Sequence, residues 1–311
     1  MPQNPENLLK EIWPNFFIVG AARSGTTSLY EYLRRVPEIY MPAVKEPNYF
    51  APNVKPNPVA YRLVDDKKDY LKLFSGVREE KAVGEASPSY LWDIDAPRLI
   101  HDTIPSARII MILRNPIERA FSHYLMCVRE GWEKLPFYDA LQKDYYQEIK
   151  GYGITNLYVE LGLYSKAVVR YLSIFGADRV KIFLFEEFVQ NPKEAVAEVL
   201  QFLDLKSEVP PNVGVVYNPH SSPIDRRQIV RRIIKVMEQS SSKNKTVNRI
   251  FKLIPSSLKE NARQKILLGK TSATEMPDQA LCFLHKIYAT DVSALKSILK
   301  RSLPWDDFNT R

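Results

Sequence analysis

The stretch Phe16–Tyr30 reads FFIVGAARSGTTSLY, and its residue types suit the capture of an anion. Gly20 and Gly25 bracket Ala21, Ala22, Arg23 and Ser24, and three hydroxyls follow at Thr26, Thr27 and Ser28. An apolar strand that ends in a Gly-bounded loop and opens straight into a helix leaves backbone N–H groups unpaired at the helix start. The helix dipole favours negative charge at the same place. The spacing nearly matches the nucleotide-binding pattern G-x-x-x-x-G-K-[ST], but Thr26 stands where that pattern needs Lys, and the cation comes earlier, at Arg23. The expected ligand is therefore phosphate-bearing, held by loop amides and by Arg23, Ser24, Gly25, Thr26, Thr27 and Ser28.

A second anion site is expected at residues 113–124, LRNPIERAFSHY. Arg114 follows an apolar run, and Pro116 sits where a helix would begin. Ser122 lies eight residues beyond Arg114, about two helical turns later on a similar face. A guanidinium can fork onto a phosphate there, with the serine hydroxyl beside it. A magnesium-dependent NTPase or kinase would place an acidic residue at the end of such a strand. A cation in that place suits a phosphate better than a metal. Two separate cradles explain a nucleotide phosphorylated at both its 5′ and 3′ ends, and explain ATP less well.

In this order along the chain, GAARSGTTSLYEYL and RNPIERAFS resemble the two nucleotide-binding segments of sulfotransferases that use 3′-phosphoadenosine-5′-phosphosulfate (PAPS). The likeness is to the branch holding the heparan sulfate sulfotransferases and their bacterial relatives. It covers residues 14–206 well and the remainder loosely. It implies that the first segment is the 5′-phosphosulfate loop, with Arg23 where the best-known members carry Lys, a planar fork replacing a point charge. It implies that Arg114 and Ser122 hold the 3′-phosphate. Arg119 fits the same pattern or serves structure. Val44–Phe50, VKEPNYF, matches the family's Glu, two intervening residues and paired aromatics, which makes Glu46 the general base, beside Lys45. Without the resemblance, Glu46 reads as a surface partner of Lys45. In Gly84–Tyr90, GEASPSY, Glu85 is a secondary base candidate, and Ala86 stands where some glycan sulfotransferases place a catalytic Lys; Lys45 or Arg23 would have to compensate. His123, next to Ser122, is read as packing or hydrogen bonding rather than catalysis. The late segment Tyr217–Arg227 matches a loop that folds over the nucleotide, with Arg226 as a further contact.

The implied reaction transfers a sulfuryl group from PAPS to a hydroxyl or amine by in-line displacement. A carboxylate takes the acceptor's proton, while Arg23 and loop amides stabilise the departing charge. No covalent intermediate and no metal are expected, and the four His and two Cys show no ligand spacing. The expected acceptor is a carbohydrate or glycolipid. The rival is a lipid or a carrier-bound polyketide hydroxyl, with an acidic carrier docking on the basic surface. Two other readings are a magnesium-dependent P-loop kinase and a nucleotide-binding protein without turnover.

Buried strands must position these residues. Five apolar runs, Phe16–Gly20, Glu38–Met41, Ala82–Glu85, Arg108–Leu113 and Val180–Phe185, alternate with helical patterns at Ser28–Arg35, Ile117–Arg129, Leu163–Phe175 and Val196–Leu205. Runs apolar on both faces suit a parallel sheet covered on both sides. The fold class is α/β, a P-loop-like three-layer fold with a central, mostly parallel five-stranded sheet flanked by helices. The C-terminal end of the second strand is expected near the first strand and its loop, where ligands bind in such sheets. Beyond Leu205 come a loop at Pro210–Pro223, a basic amphipathic helix at Asp225–Glu238, a surface loop at Ser240–Thr246 and a last helix at Ala289–Lys300. A single domain over 14–311 is expected, with a core at 14–206, a helical cap and covering loop at 207–311, and an N-terminal extension at 1–13.

The 311 residues are 45% hydrophobic and 26% charged, enough for a large core. A formal net charge of +8 attracts anionic ligands or partners. No basic stripe interleaved with aromatics points to nucleic acid. No apolar run approaches the length of a membrane span. The polar N-terminus and only two cysteines, Cys127 and Cys282, lead to the expectation of a cytoplasmic protein.

Overall fold

Runs that are apolar on both faces must be covered on both faces, and the computed structural model shows how. It describes residues 11–55, 64–214 and 275–308. The strands are β1 (Phe16–Gly20), β2 (Ile39–Tyr40), β3 (Ala82–Ala86), β4 (Arg108–Leu113) and β5 (Val180–Leu184). They form a five-stranded sheet in the order β2-β3-β1-β4-β5, and every pairing is parallel. β1 lies between β3 and β4, with Phe17 opposite Glu85 and Ile109.

The helices are α1 (Thr26–Leu33), α2 (Lys67–Lys72), α3 (Ala96–Thr103), α4 (Pro116–Arg129), α5 (Phe137–Tyr145), α6 (Ser165–Phe175), α7 (Phe185–Gln190), α8 (Pro192–Phe202) and α9 (Asp278–Leu299). Side chains alternate across a strand, so β1 feeds two cores. Phe17 and Val19 pack with Tyr70, Ile100, Ile117, Val168 and the buried face of α9. Phe16 and Ile18 pack on the other side with Leu29, Leu33, Val196 and Leu200. These are the three layers the sequence predicts.

Two positions differ from expectation. The sequence puts the end of β2 near β1 and its loop; β3 lies between the two, so β2 is one strand removed. Chain order does not fix sheet order: the chain leaves β1, goes out two places and returns to fill the gap. The last helix begins at Asp278 rather than Ala289, and it is core rather than cap, since Ala280, Leu284, Tyr288, Val292 and Leu295 are all buried. The expected helix at 225–238 and the loops at 217–227 and 240–246 lie outside the described residues, and Arg226 with them.

Candidate active site

β1 and β4 deliver the two anion motifs to the same edge of the sheet, where the strand order reverses direction and ligands of open α/β sheets bind. The loop after β1 turns through Gly25, whose φ of +83° lies in the left-handed region. A Cβ there would come within 3.2 Å of the Phe185 and Phe188 rings, so the position needs glycine on both counts. α1 then begins at Thr26, two residues earlier than the pattern suggests, with no acidic residue in its first turn. Ser24, Thr26 and Ser28 are buried, and Ser24 Oγ has no hydrogen-bond partner. A buried hydroxyl without a partner is costly unless a ligand completes it.

The second motif is built around a helix cap. Asn115 Oδ1 accepts from the N–H groups of Ile117 and Glu118 at 3.0 and 3.4 Å, and Pro116 occupies the first helical position. Asn115 Nδ2 donates to Asp307 at 2.8 Å, and its backbone N–H donates to Glu186 Oε1 at 2.9 Å. The Tyr164 hydroxyl donates to the Arg114 carbonyl at 3.0 Å. Arg114 is thus fixed from both sides, with its guanidinium 4.6 Å from the Phe185 ring centroid.

The two motifs meet. Arg23 Nε donates to Ser122 Oγ at 3.3 Å across 99 residues of chain. Arg114 Nη1 donates to the Arg23 carbonyl at 3.4 Å. Burial, with repulsion from Arg129 and Arg114, lowers the Arg23 pKa to about 10, so it remains a cation at neutral pH. Burial lowers that of Arg114 as well. Arg119 is fully buried; it donates to the Tyr158 carbonyl, and its Nε and Nη1 lack partners. Clustered cations in a half-buried site raise the local potential that an anion would relieve. Burial, then Arg119 and Arg23, push the His123 pKa well down. His123 packs edge-on to Tyr158 at 5.3 Å, which agrees with a packing role.

The segment with Glu46 reaches the sheet edge through β3 rather than through β2. Glu46 N–H donates to the Ala86 carbonyl at 3.0 Å. The Glu46 carboxylate is ion-paired with the Lys45 ammonium, and its side chain is 38% exposed, so it can meet an incoming acceptor. Glu85 differs: it is fully buried, and Ser87, Tyr90 and Tyr70 donate to its carboxylate. Burial pushes its pKa up to about 7. No acceptor can reach it, which removes it as a candidate base.

An open cavity of about 180 Å³ adjoins the loop at Ala21 and Ala22, and Trp92, Lys166 and Arg170 line it. The sequence reading misses these three; the only signal is the four-residue spacing of the two cations on α6. Among the described residues no cluster of three His, Cys, Asp or Glu side chains is arranged to hold a metal ion. Among them, too, no helix is long and apolar enough to cross a membrane.

The sequence model of a family described as "Sulfotransferase domain" matches residues 14–292. Carbohydrate sulfotransferase 15 of Homo sapiens is 29% identical over 62% of this chain and 44% of its own length. Heparan sulfate glucosamine 3-O-sulfotransferase 6 of Homo sapiens is 28% identical over 63% of this chain and 54% of its own. The chain therefore spans about half the length of these curated relatives. The crystal structure of a sulfotransferase from Alicyclobacillus acidocaldarius superposes with a TM-score of 0.68 and 31% identity, covering 94% of this chain and 98% of that one.

Proposed function

The chain belongs to the sulfotransferase domain family, and from that premise we propose that it moves a sulfuryl group from PAPS to a carbohydrate hydroxyl. One observation carries the reading: the 3.3 Å contact between Arg23 and Ser122, which sets two anion motifs far apart in sequence side by side. The residues present fit the donor nucleotide, because the unpartnered Ser24 hydroxyl and the first amides of α1 stand where a 5′-phosphosulfate would complete them. Arg23, Ser24, Gly25, Thr26, Thr27 and Ser28 would hold that end, and Arg114 and Ser122 the 3′-phosphate; Arg226 belongs to the same proposal. The bound donor supplies an activated sulfuryl group.

The chain's own residues supply position and charge. Glu46 accepts the proton of the acceptor hydroxyl, and Lys45, already its ion-pair partner, orients the carboxylate. Arg23 and the loop amides face the charge that develops on the phosphate side. The names of the two relatives support a carbohydrate acceptor.

Calorimetry with 3′-phosphoadenosine-5′-phosphate (PAP) and with magnesium-ATP tests the nucleotide. PAP is expected to bind at least tenfold tighter, and Arg114→Ala and Ser122→Ala each to weaken PAP by about tenfold, the loss of about 1.4 kcal/mol expected for a charge-assisted contact. Equal binding of both nucleotides, untouched by either substitution, would end the proposal. Radiolabelled PAPS with sugars, lipids and carrier-bound acyl chains tests the acceptor. On the acceptor so found, Glu46→Gln is expected to lose turnover and keep PAP affinity; full turnover would falsify the general-base role.

A further inference from the structure

Glu85 has no access to solvent, and the reading above gives it no task. Its surroundings are specific. Ser87 Oγ donates to Oε1 at 2.6 Å, and the hydroxyls of Tyr90 and Tyr70 donate to Oε2 at 2.7 and 2.9 Å. Each of these three residues also makes a contact with residues 48–50. Ser87 Oγ accepts the Asn48 N–H at 3.1 Å. Tyr90 OH accepts the Phe50 N–H at 3.2 Å. The Tyr70 ring stacks on Tyr49 at 4.1 Å and 14°. The held backbone is unusual: Glu46 and Asn48 have φ of +61° and +56°, values a side-chain-bearing residue keeps only where its surroundings impose them.

Hydrogen-bond polarity explains the arrangement. An ionised carboxylate only accepts. A hydroxyl that donates its single proton to Glu85 has only lone pairs left, and lone pairs are what a backbone N–H needs. In its ionised form Glu85 therefore sets the direction of the Ser87 and Tyr90 protons and makes both hydroxyls acceptors for the 46–50 segment. A buried network with every member satisfied is rigid, and one reversed bond leaves a buried donor unpaired.

We infer that Glu85 is the positioning residue for the proposed base: by fixing the polarity of Ser87 and Tyr90 it sets the backbone of residues 46–50, and with it the placement of Glu46. The catalytic consequence rests on Glu46 accepting the proton; the backbone consequence does not.

Glu85→Gln tests this, because its NH2 group must be met by an acceptor: one bond of the network reverses, the proton of that hydroxyl loses its buried partner, and its hold on the backbone amide weakens. Amide exchange followed by NMR on the full chain at pH 8 is the readout. In Glu85→Gln, exchange at Asn48 or Phe50 is expected to quicken at least tenfold, while the amides of β1 and β4 and the affinity for PAP stay within twofold. Ser87→Ala is expected to release Asn48 alone, and Tyr90→Phe to release Phe50 alone. On the acceptor found above, Glu85→Gln should lower kcat at least tenfold with the KM for PAPS unchanged. Glu46→Gln should lose turnover yet leave both amides protected. Faster exchange with unchanged kcat supports the positioning role and removes Glu46 as the base. Wild-type exchange at both amides in Glu85→Gln overturns the inference. If that variant does not fold, wild-type exchange at Asn48 in Ser87→Ala and at Phe50 in Tyr90→Phe overturns it.

Discussion

A buried carboxyl with three hydroxyl donors is still costly to ionise, and Glu85 shows the balance. Burial raises its pKa from an ordinary 4.5 to about 7, and the hydroxyls of Ser87, Tyr90 and Tyr70 offset only part of the rise. The sign of the linkage follows. Between pH 4.5 and 7 the folded chain holds this proton and the unfolded chain has lost it, so stability falls as pH rises, by about 3 kcal/mol over the interval. Denaturant midpoints of wild type and Glu85→Gln should therefore shift in favour of the variant from pH 5 to about 7 and level off above it. A constant difference would mean that Glu85 does not titrate in this range. At this scale the sequence is legible where one segment carries the chemistry: Arg23 and Arg114 are marked by neighbouring glycines, proline and hydroxyls. Glu85 is not, because its partners at 70, 87 and 90 and the amides they hold at 48 and 50 come from separate segments, and only folding puts their polarities in one circuit.

Elements turn those residues into a site. α4 begins under three constraints, Pro116, the Asn115 cap and the Glu186 carboxylate on the Asn115 N–H, and its start sets where Arg114 stands. Asn115→Ala is expected to cost about 1 kcal/mol in urea or thermal unfolding, the usual loss of a helix cap. It should also weaken PAP binding several-fold, because Arg114 is the adjoining residue. A loss of stability with PAP affinity intact would show that the Asn115 cap does not set where Arg114 stands. The strands themselves are readable from sequence: five apolar runs become five strands within a residue or two, because burial on both faces leaves no other place for them. The placement of β2 is not readable, since nothing in Ile39–Tyr40 records that β3 will lie between it and β1.

Across the whole molecule, the last described residues close the first layer of contacts around the site. Trp305 is fully buried, and its indole N–H donates to Glu186 Oε2 at 3.1 Å, on the carboxylate whose other oxygen holds Asn115. Asp291 of α9 accepts the Tyr164 N–H at 2.8 Å at the head of α6. Trp305→Ala is expected to cost about 3–5 kcal/mol in denaturant unfolding, as for other buried aromatic truncations, and to weaken PAP along with it. A loss under 1 kcal/mol would show that the segment only rests on the surface.

That latch has a consequence in time. Asn115 leaves the ribosome long before Asp307, its partner 192 positions downstream. A nascent chain can lay down β1, β4 and α4 in order of synthesis, yet the clamp on Arg114 stays half-made until Trp305 and Asp307 emerge. Competence to grip the proposed nucleotide therefore waits on residues 305–307, however early β1, β4 and α4 are made.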